Sequence, residues 1–254
     1  MNTKVLKCFQ TVYEERSISR AARRLYITPQ GLSKNIRQLE EMENGLRQLE
    51  QRKERLRIGC ANGALNLLPL PVILKFGEEH PELRLEWREY PNDQVKTKLM
   101  DSEIEYGFVI GEWSGQAVAA RMITGCRICL LVYEGHPLYG RERVSLSQLE
   151  GERLLIMNES FRLYHEFTAL CAVQGVTPSI VAKTADGAGL YRLCSQKVGL
   201  AVAPEFFREE FRMDGVRALP FEEDLYWEVY GVSRRDTSGY ENIRLFDQYL
   251  KEHL

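Results

Sequence analysis

Apolar residues recur along the first fifty positions with the spacing of short amphipathic helices. Val5, Leu6, Phe9, Val12 and Tyr13 follow the i, i+3/i+4, i+7 pattern and predict a first helix. Ser17 or Ser19 can cap a second, whose short apolar face is Ala21, Ala22 and Leu25; alanines there let two helices cross closely. Tyr26 and Ile27 break the period. Thr28 then caps a third helix, with Pro29 at its first position, where the missing N–H costs nothing. Leu32, Ile36 and Leu39 form its buried stripe, and Pro29, Gln30, Ser33, Lys34 and Arg37 lie on the opposite side. If Gly45 is tolerated, at about 1 kcal/mol against alanine, this helix extends to about Lys53, roughly 37 Å of helix. Its apolar positions Leu32, Ile36, Leu39, Met42, Leu46 and Leu49 are then nearly a heptad seam. Pairing with a second copy and packing on the rest of the chain both fit such a seam.

From Arg55 onward the pattern alternates between strand and helix. Strands are predicted at 56–61, 83–87, 106–111, 126–133, 153–157, 179–183, 198–203 and 227–232. Helices are predicted at 65–79, 94–102, 160–173, 187–195 and 240–254. Such alternation argues for an α/β fold with largely parallel sheets.

Composition changes this picture little: 44% hydrophobic and 28% charged residues among 254 are ordinary for a globular protein. No apolar run approaches the roughly 18–20 residues that span a bilayer. The start, Met1 to Lys7, lacks a secretory h-region, so a cytoplasmic location is expected. Charge is more informative. Residues 1–57 carry 13 Lys and Arg against 7 Asp and Glu, whereas the remaining 197 carry 21 against 29. A basic end on an acidic body fits an N-terminus that faces a polyanion, although a solvated helix can also be basic. Two short helices, a tight turn and a third helix exposing Gln, Ser, Lys and Arg read as a helix-turn-helix. Gln can read adenine edges, and Arg and Lys can read guanine or hold phosphates. A three-helix packing module with an ordinary polar face is the alternative.

The six cysteines are scattered and are expected to be reduced, buried thiols. Cys126-x-x-Cys129 lies in a strand-like run, where residues three apart point to opposite faces, and no second pair completes a ligand set. No metal and no cofactor are expected. His80 and His136 each precede a proline, His165 falls in a helix and His253 lies near the end. No Ser/His/Asp arrangement or phosphate loop stands out, so no enzymatic activity is expected.

The stretch Phe9 to Glu41 resembles the helix-turn-helix of LysR-type transcription regulators almost position for position. Its marks are Ile18-Ser19-Arg20-Ala21-Ala22, Leu32-Ser33 and the closing Ile36-Arg37-Gln38-Leu39-Glu40-Glu41. The rest of the chain resembles the effector domain of the same family. There the marks are Leu-Arg-Ile-Gly (56–59), Leu-Leu-Pro-Leu-Pro (67–71), His-Pro-Glu-Leu-Arg-Leu (80–85), Gly-His-Pro-Leu (135–138) and Val-Gly-Leu-Ala-Val-Ala-Pro-Glu (198–205). The resemblance implies an α/β fold: an N-terminal helix-turn-helix plus a two-lobed, periplasmic-binding-protein-like effector domain. It implies a helix-turn-helix over 1–41, a shortened linker helix over 42–54 and an effector domain over 55–254. Lobe one would be 55–130 and 232–254, and lobe two 131–231, with crossover strands near 131–134 and 228–231.

The implied function is a DNA-binding transcriptional regulator controlled by a small-molecule effector between the lobes. Its partners would be double-stranded promoter DNA, the effector and further copies of itself, as a homodimer or higher homo-oligomer. The chain departs from the family after Glu41, where the Leu-Gly-x-x-Leu-Phe-x-Arg motif, the wing and the first part of the linker helix are missing. That loss is expected to weaken DNA binding. It leaves an alternative open: a ligand-sensing or dimerising protein without operator binding. A free solute-binding protein related by fold is a further rival, against which the retained helix-turn-helix and the missing signal peptide count.

Pro29, Gln30, Ser33, Lys34 and Arg37 are the candidate DNA contacts. For the effector, strand C-termini and helix N-termini should converge between the lobes. Asn62, Gly63 and Ala64 are expected to open the first helix of this region, with free N–H groups that could hold an anion. Gly111, Glu112 and Trp113 follow a strand at the same rim, and Asn158, Ser160, Phe161, Asp186 and Gly187 come from lobe two. Glu112 and Asp186 would repel an anion, which favours a ligand with an amine or hydroxyl. Each of these residues reads equally well as an ordinary cap or loop residue.

Overall fold

The computed structural model describes residues 3–38, 54–207, 214–237 and 240–254, in two compact units, Met1–Arg55 and Leu56–Leu254. The first unit holds α1 (Thr3–Glu15), α2 (Ile18–Arg24) and α3, described over 29–38. Its core is Cys8, Ala21, Ala22 and Leu32, with Val12, Leu25, Ile27 and Ile36 packed against them. Ala21 and Ala22 have no exposed surface, as a close helix crossing requires. That closeness also corrects the expected face of α1. Small Cys8 and Thr11 turn inward, while Phe9 and Tyr13 are 53% and 76% exposed. The expected helix beyond Gln38, its seam and the junction after Glu41 lie outside the described residues.

Two side chains set the helix starts. Ser17 accepts the Arg20 N–H at 3.4 Å, and the Thr28 hydroxyl accepts the Gly31 N–H at 3.1 Å. Tyr26 makes the turn between α2 and α3 with φ of 56°, its ring 96% exposed. Thr28→Ala is expected to lower the stability of this unit by about 1 kcal/mol, the usual cost of losing an N-cap. Thermal unfolding followed by circular dichroism checks this.

In the second unit, β1 (Arg55–Ala61), α4 (Leu70–Glu79), β2 (Arg84–Tyr90), α5 (Asn92–Met100) and β3 (Tyr106–Ile110) come first. The long strand β4 (Val118–Tyr133) follows, then β5 (Arg153–Met157), α6 (Arg162–Val173), β6 (Ser179–Thr184) and α7 (Gly187–Ser195). Strands β7 (Leu200–Pro204), β8 (Val216–Pro220) and β9 (Tyr226–Arg234) precede the closing helix α8 (Glu241–His253). The strand order is β2-β1-β3-β9-β4-β7-β5-β6, with β8 also paired to β4. Among the described pairs β1 runs parallel to β3, and β5 parallel to β6 and β7. β9 runs antiparallel to β3 and β4, and β4 antiparallel to β7 and β8.

β4 joins the two lobes. Its residues 118–127 pair with β9, and residues 128–133 pair with β7 and β8. Its burial changes with its partners: the first half alternates, whereas Ile128 to Val132 are buried on both faces. Of residues 228–231, expected as a crossover, Val229 to Gly231 pair with β3 and Glu228 with β4 inside lobe one. The pairing partners of β4 thus change near 127/128, and β9 begins at Tyr226.

Helix boundaries differ from expectation where proline and left-handed backbone intervene. The helix expected from Leu65 begins at Leu70, because Pro69 and Pro71 lack the N–H groups that an earlier start would need. Helix α5 starts at Asn92, after Pro91, and its Asn92 side chain exchanges two hydrogen bonds with the Ile110 backbone at 2.9 and 3.1 Å. It ends before Ser102, whose φ is 60°. Among the described residues no helix is long and apolar enough to cross a membrane.

Candidate functional site

The exposed side of α3 in the N-terminal unit carries all five residues expected there: Pro29, Gln30, Ser33, Lys34 and Arg37. Leu32 is fully buried and Ile36 half-buried on the other side, so packing fixes which side chains face outward. On α2, by contrast, the Arg24 guanidinium lies 2.9 Å from Glu15 and 3.1 Å from Glu14. Those carboxylates raise the Arg24 pKa and offset its charge locally. The cations of α3, Lys34 and Arg37, remain on the solvent side.

In the second unit a cavity of about 370 Å³ opens between the lobes. Lobe one contributes Asn62, Gly63, Asn66 and Glu89; lobe two contributes Met157, Phe161, residues 185–188, Pro204, Phe206 and Phe207. Trp227, at the start of β9, lies between them. Five of the expected residues thus meet here: Asn62, Gly63, Phe161, Asp186 and Gly187.

The cavity is shaped by rings resting on glycines. Gly63 has φ of 81°, and a Cβ there would stand 3.0 Å from the Trp227 ring. A Cβ on Gly187 would stand 2.2 Å from Cζ of Phe207. Phe206 and Phe207 meet edge to face at 4.8 Å, and the Phe161 and Trp227 rings are 6.4 Å apart. Trp227 is 2% exposed, and among the described residues its buried indole N–H has no acceptor. A buried donor left unpaired costs about 1–3 kcal/mol.

The polar groups here are acidic. Glu89 and Asp186 line the cavity, and among the described lining residues there is no basic side chain. Asp186 caps α7, accepting the Ala188 N–H at 3.0 Å. The helix terminus, otherwise attractive to an anion, is thus already occupied by a carboxylate.

The other expected residues have local roles. The anion-holding turn at 62–64 is corrected: no helix begins there, the Asn62 N–H donates to Tyr90 O at 2.9 Å, and the Ala64 N–H donates to Ala61 O at 2.8 Å. Ala64 is fully buried. Gly111 has φ of 75° and lies beneath the Arg162 side chain, with its N–H bound to Glu228 O. Glu112 is exposed, and the Trp113 ring sits under the Lys96 ammonium at 5.8 Å. Asn158 accepts from the Ser160 N–H and hydroxyl in a closed turn. None of Ala64, Gly111, Glu112, Trp113, Asn158 and Ser160 lines the cavity.

Sequence reasoning missed Glu89, Phe206, Phe207 and Trp227. Glu89 and the Phe pair were within reach, since they lie at the ends of β2 and β7, where strand C-termini meet the cleft. No disulfide links the six cysteines, of which all but Cys126 are buried. Cys60, at the end of β1, is pushed up to about 12, first by burial and then by the charge of Glu89.

The LysR substrate binding domain model matches residues 49–254, and the model of bacterial regulatory helix-turn-helix proteins of the lysR family matches residues 3–53. The HTH-type transcriptional regulator AlsR of Bacillus subtilis is 24% identical over 84% of this chain and 84% of its own length. The effector binding domain of BenM, a regulator of Acinetobacter baylyi, solved with its effector benzoate, superposes with a TM-score of 0.68. It is 20% identical and covers 78% of this chain and 91% of that one. Full-length CbnR, solved with its target DNA, superposes with a TM-score of 0.64 at 15% identity, covering 98% of each chain.

Proposed function

This chain belongs to the LysR family of bacterial DNA-binding transcriptional regulators, and from that premise we propose what its two sites take. Helix α3 contacts double-stranded promoter DNA through Gln30, Ser33, Lys34 and Arg37, with Pro29 at its entry. The cleft takes a small aromatic effector that carries an amine together with a hydroxyl or carbonyl. One observation carries the second assignment: a cavity walled by aromatic rings, that of Trp227 among them, and by two carboxylates. The rings supply a slot for a flat body, the indole N–H takes an oxygen, and Glu89 and Asp186 favour a cation. Benzoate, the effector of BenM, carries the opposite charge. The fold is shared, and the charge of the pocket sets the ligand.

The same reading assigns the chain no reaction. Its four histidines are engaged locally and line none of this cavity: His80 with Glu82, His136 with Glu152, His165 with Glu159 O and His253 with Tyr249 O.

A matched pair of compounds tests the charge argument. The probes 2-amino-1-phenylethanol and mandelate share a ring and a hydroxyl but differ in carrying an ammonium or a carboxylate. By titration calorimetry the amine is expected to bind saturably, and mandelate is expected not to displace it. Trp227→Phe should weaken the amine by roughly tenfold, the worth of about 1.4 kcal/mol for one hydrogen bond. Displacement of the amine by mandelate, or full affinity in Trp227→Phe, would contradict the assignment.

A further inference from the structure

Beside the cleft, outside the residues that line it, one side chain crosses from lobe to lobe. Gly111 follows β3 in lobe one, and Arg162 is the first residue of α6 in lobe two. A Cβ on Gly111 would stand 2.7 Å from Cδ of Arg162 and closer still to its Nε and Cζ, so the guanidinium end rests directly on the Gly111 backbone. Both ends of this contact are held. Gly111 donates its N–H to Glu228 O at 2.8 Å, and Ile110 before it exchanges two hydrogen bonds with the Asn92 side chain. Arg162 Nε donates to Glu166 Oε1 at 2.5 Å, one turn along α6.

The charges around the contact suit an arginine. Glu166 stands on the lobe-two side, and Glu112 and Glu228 on the lobe-one side. Tyr230 reports how near they come, since its hydroxyl donates to Glu228 Oε2 at 3.2 Å. Burial raises the Tyr230 pKa most, the charges of Glu228 and Glu112 raise it further, and that of Arg162 lowers it. One guanidinium therefore serves three carboxylates, two of them on the opposite lobe, which would repel Glu166 across the gap without it. A planar cation that stays protonated can rest on a peptide and keep that charge. Glycine at 111 provides both the close approach and the φ of 75°. The neighbour of Arg162 carries the contact into the cleft: Phe161, at the N-cap of α6, lines the cavity with its ring 6.4 Å from that of Trp227.

We propose that Arg162 is a clasp between the lobes: seated on Gly111, it fixes how far Phe161 stands from lobe one, and with that the width of the effector cleft. It is a positioning residue, since the cavity is lined by its neighbour and not by Arg162 itself. Effector affinity then depends on a contact that the effector does not touch. The clasp holds whichever ligand the cleft takes; only the affinity arm of its test rests on the amine assigned above.

Arg162→Ala and Gly111→Ala break the clasp from opposite lobes, and hydrogen–deuterium exchange of the ligand-free full chain reads the result directly. Arg162→Ala is expected to speed exchange at residues 110–113 of lobe one, where no atom has been changed, as well as at 158–165. Titration with 2-amino-1-phenylethanol should show roughly tenfold weaker binding in each single variant, the size of coupling usual for residues in contact. The double variant should lose no more than either single one, because both remove the same contact. A role for Arg162 confined to the start of α6 would restrict faster exchange to 158–165 and make the two substitutions additive, and either result overturns the proposal. If the amine fails to bind the wild-type chain, the ligand assignment falls, and the exchange result still decides the clasp.

Discussion

Replacing Gln30, Lys34 and Arg37 together by alanine is expected to weaken binding to the chain's own operator by at least about a hundredfold. Each such side chain is worth about 1–3 kcal/mol when it reaches a base edge or phosphate. Three lost together exceed the roughly 2.7 kcal/mol of a hundredfold change. Folding should be untouched, because all three are exposed and the core of the unit is made by Cys8, Ala21, Ala22 and Leu32. Alanine also suits the helix interior. Fluorescence anisotropy with operator and unrelated duplexes separates the contributions. Lys34→Ala alone should weaken both duplexes alike, as a phosphate contact does, whereas Gln30→Ala should narrow the difference between them. Retention of operator affinity in the triple variant would remove α3 from the interface.

Gly187→Ala is expected to abolish effector binding in the cleft and to cost about 1–3 kcal/mol of stability, the usual range for overpacking. A Cβ at this position would stand 2.2 Å from Cζ and 2.6 Å from Cε2 of Phe207. The ring is 4% exposed and packed edge to face on Phe206, so it cannot move without displacing a second cavity wall. Phe207→Leu in the same chain should restore the lost stability in part, since the shorter side chain leaves room for the methyl group. Chemical denaturation of the two single variants and the double variant gives the coupling between the sites. Simple additivity would show that the contact is not what Gly187 preserves.

Much of the architecture was legible because local signals and burial agreed. β5 and α7 lie where the pattern set them, each bounded by polar or glycine residues and each presenting a clear apolar face. The first half of β4 was not legible. Residues 118–125 alternate irregularly across a register shift between Met122 and Thr124, and they carry few of the large apolar residues that mark a strand. β8 also escaped, being a five-residue strand that ends in Pro220 and pairs with β4.

The cleft divided along the same line. Phe161, Asp186 and Gly187 follow strands that the sequence made clear, and the structure brings them together. Trp227 came from the partner choice of β9, a long-range property that no local period encodes. The buried Trp227 indole N–H was likewise invisible, because it is defined by the absence of an acceptor among the described residues. The anion-binding turn at 62–64 failed for a specific reason: Pro69 and Pro71 displaced the helix start on which it depended.

The most direct test of the account is the binding of the wild-type chain to the DNA upstream of its own gene, followed by anisotropy at low and moderate salt. Saturable binding that weakens with salt, and that an unrelated duplex of equal length does not match, is the predicted result. Absent binding, or equal affinity for both duplexes, would contradict it and leave the chain a ligand sensor without an operator.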